Sequence, residues 1–494
     1  MKNLLLISAL TLAALSGCGG GGGGASPVQE VPVVPVVIAP VFQAVLNIPA
    51  VTTAFEQLST LHAIPLDING DGKDDLVMAS ASFMYSGSTV GSNVICPNFL
   101  TVLISQADGT LKDETATYIP GGTDIGGCAR KAKLADINGD GKLDIVFAVS
   151  QEDGRATNNP HNADGQLAAL VSKGGIYEVK KFGVPSWYHS VGVGYDANNT
   201  SFVVGNGYTS NATSAFKFDS GNNISEISSL PTTSPTTFEF FNVDGSKTES
   251  KFLLQPANTN LAYTSIEGYV KNISGSWDKL SDLALAPQIG TVQGVVWNVG
   301  AVPDTNPVFS SNGKAITFAG FSESCTMKLT PTSPQMTIFK LSGAIIPNFV
   351  NGMTLNQTNL DTFTALYGVS IINGVINSIP LNITNEQTTG VNSNFFDCKD
   401  VTGDGYADIV VYPYNTTGMP YVYANNKLGG FDYMGSKMFP VINDSWSSAV
   451  SSLLNDFDKD GKFELLVWPA NGLLNTVKSF IPHFYKGISQ LRAD

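Results

Sequence analysis

Four short acidic loops, each running straight into an apolar β-type stretch, constrain this chain more than any other feature. They are Asp67-Ile-Asn-Gly-Asp-Gly-Lys-Asp-Asp75, Asp136-Ile-Asn-Gly-Asp-Gly-Lys-Leu-Asp144, Asp400-Val-Thr-Gly-Asp-Gly-Tyr-Ala-Asp408 and Asp456-Phe-Asp-Lys-Asp-Gly-Lys-Phe-Glu464. Oxygen-bearing side chains stand at loop positions 1, 3, 5 and 9, with Gly at position 6 to allow a sharp turn. That spacing lets one tight loop wrap a hard cation in oxygen ligands. The expected side-chain ligands are Asp67, Asn69, Asp71 and Asp75, then Asp136, Asn138, Asp140 and Asp144. Asp400, Thr402, Asp404 and Asp408 form the third set, and Asp456, Asp458, Asp460 and Glu464 the fourth. The backbone carbonyl at position 7 adds Lys73, Lys142, Tyr406 and Lys462. Four Ca²⁺ sites are therefore expected. Four side chains and a carbonyl nearly saturate the ion, so its expected role is structural, with little room for an outside ligand beyond water. The fourth loop has four carboxylates at its ligand positions 1, 3, 5 and 9, against three in each of the others, and is expected to bind tightest.

The loops exclude an EF-hand. That motif needs a bidentate Glu at position 12 and flanking helices. Position 12 here is Met78, Phe147, Val411 or Val467. The loops lead instead into Leu76-Val-Met-Ala, Ile145-Val-Phe-Ala, Ile409-Val-Val-Tyr and Leu465-Leu-Val-Trp, runs that read as buried strands.

The first two loops start 69 residues apart and the last two 56 apart, with 264 residues between Asp136 and Asp400. Worn copies occupy the gap. One has the frame Phe182-Gly-Val-Pro, then Ser190-Val-Gly-Val-Gly-Tyr-Asp196-Ala-Asn-Asn-Thr and Phe202-Val-Val-Gly, without acids at positions 5 and 9. Another is Phe240-Phe-Asn242-Val-Asp-Gly, leading to Phe252-Leu-Leu-Gln-Pro-Ala-Asn258. A fainter copy is Val295-Val-Trp-Asn-Val-Gly, and residues 340–390 form either an insertion or one more unit. The Asp-x-Asn-x-Asp-Gly-x-x-Asp units with the Phe-Gly-x-Pro lead-in resemble the FG-GAP/VCBS repeats of integrin-α-like β-propellers, over roughly residues 50–494. The resemblance implies an all-β chain in which each repeat is a four-stranded blade. It implies seven blades, or eight if residues 340–390 are one, with the calcium loops joining neighbouring strands. Only 38 residues follow Asp456, so the last blade is expected to borrow a strand such as Phe42-Gln-Ala-Val-Leu-Asn47.

Charged residues make up 14% of the 494 and Gly numbers 50, the texture of an exported β-protein. A net charge of −14 argues against nucleic acid and anionic lipid surfaces, which need basic patches. Residues 1–17 read as a signal segment, with Lys2 before an apolar stretch too short to span a bilayer. Leu15-Ser16-Gly17-Cys18 resembles the lipobox of bacterial lipoproteins, which implies cleavage before Cys18 and its lipidation. Residues 18–41 form a Gly- and Pro-rich tether and residues 42–494 the propeller. An outer-membrane address is expected for the anchored protein. Of the remaining cysteines, Cys96, Cys128, Cys325 and Cys398 suit two disulfides. Three connectivities are open, and the repeat order favours Cys96–Cys128 with Cys325–Cys398.

No zinc pattern, nucleophile elbow, P-loop or dinucleotide fingerprint is present. His189 reads as a packing or surface residue. Trp187, Tyr188, Trp277, Trp297, Tyr421, Tyr423 and Trp446 offer rings for sugar stacking, or fill the blades. The expected function is a calcium-binding, membrane-anchored module for an unidentified protein or glycan partner. A propeller-fold polysaccharide lyase or hydrolase, and a passive envelope scaffold, are the alternatives.

Overall fold

The computed structural model describes residues 42–45, 51–52, 59–81, 98–107, 110–150, 165–186, 188–207, 213–227, 230, 237–256, 265–280, 282–284, 291–292, 295–296, 309–311, 314–346, 361–379, 381, 393–413, 420–435, 450–461, 463–469, 479–480 and 483–487. Among them the single turn Thr115–Tyr118 is helical, and no helix is long and apolar enough to cross a membrane.

Six antiparallel sheets are each drawn from one continuous run of chain. Blade 1 contains Ser59–Leu66, Asp75–Ala81, Asn98–Ser105 and Leu111–Asp113. Blade 2 contains Cys128–Ala135, Asp144–Ser150, Leu167–Lys173 and Ile176–Phe182. Blade 3 contains Tyr188–Tyr195, Ser201–Gly207, Thr213–Phe218 and Ile224–Ile227. Blade 4 contains Glu239–Phe241, Phe252–Pro256, Ser265–Lys271 and Trp277–Lys279, with Leu283–Ala284 added beside its third strand. Blade 5 contains Lys314–Met327, Met336–Ile346, Asp361–Ile372 and Val375–Ile379 as its four strands, with the short Phe309–Ser311 added beside the first. Blade 6 contains Ser393–Lys399, Asp408–Pro413, Tyr421–Asn425 and Phe431–Gly435.

A composite sheet then joins the two ends of the chain. Val450–Asn455, Glu464–Pro469 and His483–Gly487 are followed by Phe42–Val45, with Phe42 opposite Gly487 and Val45 opposite Phe484. The blade count differs from the expected seven, or eight, blades. Six blades are contiguous, and a further unit is split between the chain ends. Residues 340–390 add no sheet of their own, because Met336–Ile346 and Asp361–Ile372 are the long central strands of blade 5. Val295–Val296 pairs with Thr291–Val292 in a two-stranded ribbon, so that faint copy is not a blade among the described residues.

The unbroken apolar runs are explained by blade stacking. Leu76 and Met78 pack toward the composite sheet, against Leu453, Leu465 and Val467. Val77 and Ala79, on the opposite face of the same strand, pack toward blade 2, against Ile145 and Phe147. Val146 and Ala148 in turn face blade 3, and Ile409 and Val411 face blade 5. Each second strand is buried on both faces, so its sequence does not alternate. Full burial of each large apolar side chain contributes about 1.5–3 kcal/mol. The first strands of blades 1 to 6 touch in succession. Asp408–Pro413 then meets Val450–Asn455, and Glu464–Pro469 meets Ser59–Leu66, closing the ring. Gly192 lets one such contact form, because a Cβ there would lie 2.4 Å from Phe238 Cε2 of blade 4.

Candidate metal loops and the central cavity

The four acidic loops occupy one topological place, the link between the first and second strands of a sheet. Position 9 pairs with the residue just before position 1: Asp75 with Leu66, Asp144 with Ala135, Asp408 with Lys399 and Glu464 with Asn455. The position-6 glycines hold left-handed φ values of 83–87° at Gly72, Gly141, Gly405 and Gly461. An L side chain there would be strained.

The position-9 acid ties each loop to its blade. Asp75 Oδ2 accepts from Ile68 N at 3.0 Å, and its Oδ1 accepts from Ser105 N on the third strand at 2.8 Å. Asp144 accepts likewise from Ile137 N and Ser172 N, and Asp408 from Val401 N and Asn425 N. All three carboxyls are fully buried. Burial pushes each of them up to about 6 against the opposing pull of the backbone N–H groups. At position 1, Asp67 accepts from Gly70, Asp71 and Gly72 N, and Asp136 from Gly139, Asp140 and Gly141 N. Asp400 accepts from Asp404 and Gly405 N. At position 3, Asn69 and Asn138 each accept from the position-5 amide, and Thr402 Oγ1 donates to Asp408 Oδ2. At position 5, Asp71, Asp140 and Asp404 accept from the amides of Lys73, Lys142 and Tyr406, the residues whose carbonyls were expected at position 7. Asp140 also accepts from Ser172 Oγ, and Lys427 Nζ lies 3.3 Å from Asp404 Oδ2.

The fourth loop converges furthest. Asp456, Asp458, Asp460 and Glu464 bring one carboxylate oxygen each to within 4.8 Å of one another. Asp456 Oδ1 is buried with no protein hydrogen-bond partner, and burial raises this carboxyl above its ordinary range. Four hard oxygen donors and an orphaned buried oxygen fit a Ca²⁺ ion. Lys462 lies outside the described residues.

The worn copies occupy the same link in blades 3 and 4 and are held without an acidic ligand set. Asp196 Oδ1 accepts from Asn198 and Thr200 N, while its Oδ2 receives the ammonium of Lys217. Asn242 stands at position 1 of the other, donating to Ser246 O and Thr248 O and accepting from Lys251 N. An ammonium and an amide hold these two turns together.

Cys325 and Cys398 form a disulfide between the first strands of blades 5 and 6, with their Cα atoms 5.8 Å apart. Cys18, Cys96, Trp187, Trp297 and Trp446 lie outside the described residues, as do the side chains of Cys128 and His189. Tyr188 and Tyr423 are buried, and Trp277 packs edge-on to Phe240. Tyr421 stacks on Tyr433.

A second feature is one that the sequence did not reveal. A cavity of about 460 Å³ is lined by the first strands of blades 1, 2, 4, 5 and 6 and of the composite sheet. Lys131 Nζ donates to Thr237 Oγ1 at 2.6 Å, and Thr237 Oγ1 lies 2.6 Å from Ser324 Oγ. Glu239 Oε1 accepts from Ser324 Oγ at 2.5 Å and from Lys133 Nζ at 2.6 Å. Lys399 Nζ bridges Asp397 and the Leu454 carbonyl, both at 2.8 Å. The available signal was Lys131 and Lys133 at alternate positions of one strand, and Glu239 among three phenylalanines.

The ring of sheets and its repeated inter-strand loops define a β-propeller. The family model described as FG-GAP-like repeat matches residues 67–147 and 400–467, and the chain is an FG-GAP-repeat β-propeller. No curated protein matches it. Among solved structures, an exotype rhamnogalacturonan lyase, YesX, is similar at 13% identity and a TM-score of 0.38, over 89% of this chain and 75% of that one. A rhamnogalacturonan lyase from Bacillus licheniformis aligns at 12% identity and a TM-score of 0.36, over 91% and 76%. A post-proline cleaving enzyme from Rickettsia typhi aligns at 11% and 0.32, and this chain covers 49% of its length. Likeness at this level assigns no activity.

Proposed function

We propose that this protein is a calcium-stabilised interaction module of the bacterial cell envelope, anchored through a lipid on Cys18 and presenting its propeller to a protein or glycan partner. The observation that carries the calcium reading is the fourth loop, with its four convergent carboxylates and the buried, unpartnered Asp456 Oδ1. Ca²⁺ there would neutralise a turn whose acids otherwise repel one another. The first three loops add acids at positions 1, 5 and 9 with Asn or Thr at position 3.

The test is a thermal melt with calcium and with excess chelator. Calcium at about 100 times its Kd stabilises by about 2.7 kcal/mol per independent site. The melting temperature should rise clearly in calcium, and Asp460→Ala should remove more of that rise than Asp71→Ala. A wild-type protein whose melt is unmoved by millimolar calcium, and which carries no metal by elemental analysis, would sink the reading. A propeller-fold polysaccharide lyase or hydrolase is separated from this proposal by product. Oligosaccharide released from a glycan, and lost on replacing a carboxylate outside the four loops, would favour the enzyme.

A further inference from the structure

We infer that the propeller face carrying the acidic loops docks on a lipid bilayer, with the aliphatic turn tips of blades 4, 5 and 6 seated in its interfacial layer. The inference rests on the lipid-anchor reading of Cys18 and adds an orientation to it. Among the described residues nine large apolar side chains are exposed, and five of them share one kind of place, the turn between a third and a fourth strand. They are Ile176, Ile273, Ile372, Val375 and Leu428. Ile273 is fully exposed and Leu428 is 90% exposed. Apolar residues scattered singly over a surface are ordinary. The last four, however, follow one another around three successive blades. The same turn carries Gln106 in blade 1 and Asp219, Asn222 and Asn223 in blade 3, so the turn itself does not require apolar tips.

These tips lie at the acidic-loop end of their blades. In an antiparallel blade the third-to-fourth turn returns to the end where the first strand meets the second. In blade 6, Asn425 N, just before the turn of Leu428, donates to the position-9 acid Asp408 at 2.8 Å. In blade 5, Ser370 Oγ donates to the Gln335 carbonyl in the first link at 2.7 Å. In blade 4, Lys271 N donates to the Lys251 carbonyl at 2.8 Å, next to Ile273.

The anchor segment enters the propeller at this same end. Gln43 pairs with Lys486, and Lys486 pairs with Glu464, position 9 of the fourth loop. Phe42, opposite Gly487, lies one step further out. The composite sheet also touches blade 6, where the arc of tips ends. The anchor and the tips are thus joined to one side of the molecule. A Gly- and Pro-rich segment as long as residues 18–41 reaches about 25–30 Å on average, which holds the tips at high effective concentration beside the bilayer. A net charge of −14 makes the contact aliphatic rather than electrostatic, so a neutral bilayer suffices. The links between second and third strands, at the opposite face, are left for the partner.

Flotation with phosphatidylcholine vesicles in millimolar calcium tests the inference, using the mature chain from residue 18 with Cys18→Ser, which carries no acyl group. This chain should float at millimolar lipid. Adding Ile273→Ser and Leu428→Ser together should weaken binding by about tenfold or more, with the melting temperature unchanged because both side chains are already in water. Val375→Ser provides the decision if that variant melts earlier. Val184→Ser, at an exposed residue of the opposite face, should bind as the parent does. Failure of the parent to float would overturn the inference, as would unchanged binding by the tip variants or an equal loss in Val184→Ser. The mass of the N-terminal peptide from membrane-extracted wild type reads the anchor separately. A missing acyl mass would sink the anchor alone, because flotation reads the tips without it.

Discussion

At the scale of single residues, the position-9 acids carry most of the consequence. Asp75, Asp144 and Asp408 titrate near 6 in the folded chain against an ordinary value of 3.8. Without metal, their protonated forms fit the fold better than their charged forms. That contribution is fully present below about pH 4 and is lost as pH rises through about 6. In excess chelator the melting temperature should therefore increase as pH falls through this window, and should still do so at high salt, which screens the net charge of the surface. In calcium the slope should reverse, because protons compete with metal for the same oxygens. Melts in chelator that are flat across the window would show that these acids do not couple folding to pH. Lys459 is a second instructive residue. It stands at position 4 of the fourth loop with φ 57°, where the other loops have Gly70, Gly139 and Gly403. A left-handed conformation costs a non-glycine residue about 1–2 kcal/mol. Its ammonium reaches Asp74 of the first loop, which also accepts from Asn455 Nδ2 at 2.9 Å. The strained lysine thus links the first blade to the composite sheet.

At the scale of elements, blade 3 shows how a repeat survives without its acids. Lys217, from the third strand, places its ammonium on Asp196 in the link between the first two. Lys217→Met should destabilise the protein by about 1 kcal/mol, and added calcium should not restore the loss. The double variant with Asp196→Asn should lose less than the two single variants summed, as expected when one interaction is removed twice. Additive losses in a double-mutant cycle would show that the pair is incidental. This substitution also marks how far the sequence can be read. The intact loops were legible because their spacing is local and their strands, buried on both faces, read as unbroken apolar runs. Lys217 was not, because its partner is brought to it by folding. Blade 5 hid for a related reason: strands of 14, 11 and 12 residues exceed the usual length and mask the repeat period. The cavity needs first strands from six sheets, and no local pattern announces such a meeting.

At the scale of the whole molecule, the composite sheet decides whether the ring holds. Phe42–Val45 covers the edge of His483–Gly487, which would otherwise present unpaired backbone groups. A variant lacking residues 1–50 should melt earlier and self-associate by size-exclusion chromatography, whereas one lacking only residues 1–36 should remain monodisperse. Equal behaviour of the two would show that the added strand is dispensable. The same pairing sets an order of events. During synthesis the first strand to leave the ribosome waits for nearly the last, so the six contiguous blades can fold one by one while the ring stays open. A chain exported unfolded would meet no obstacle from a prematurely closed ring. Once closed, any pull on the N-terminal segment is borne first by the strand that seals it.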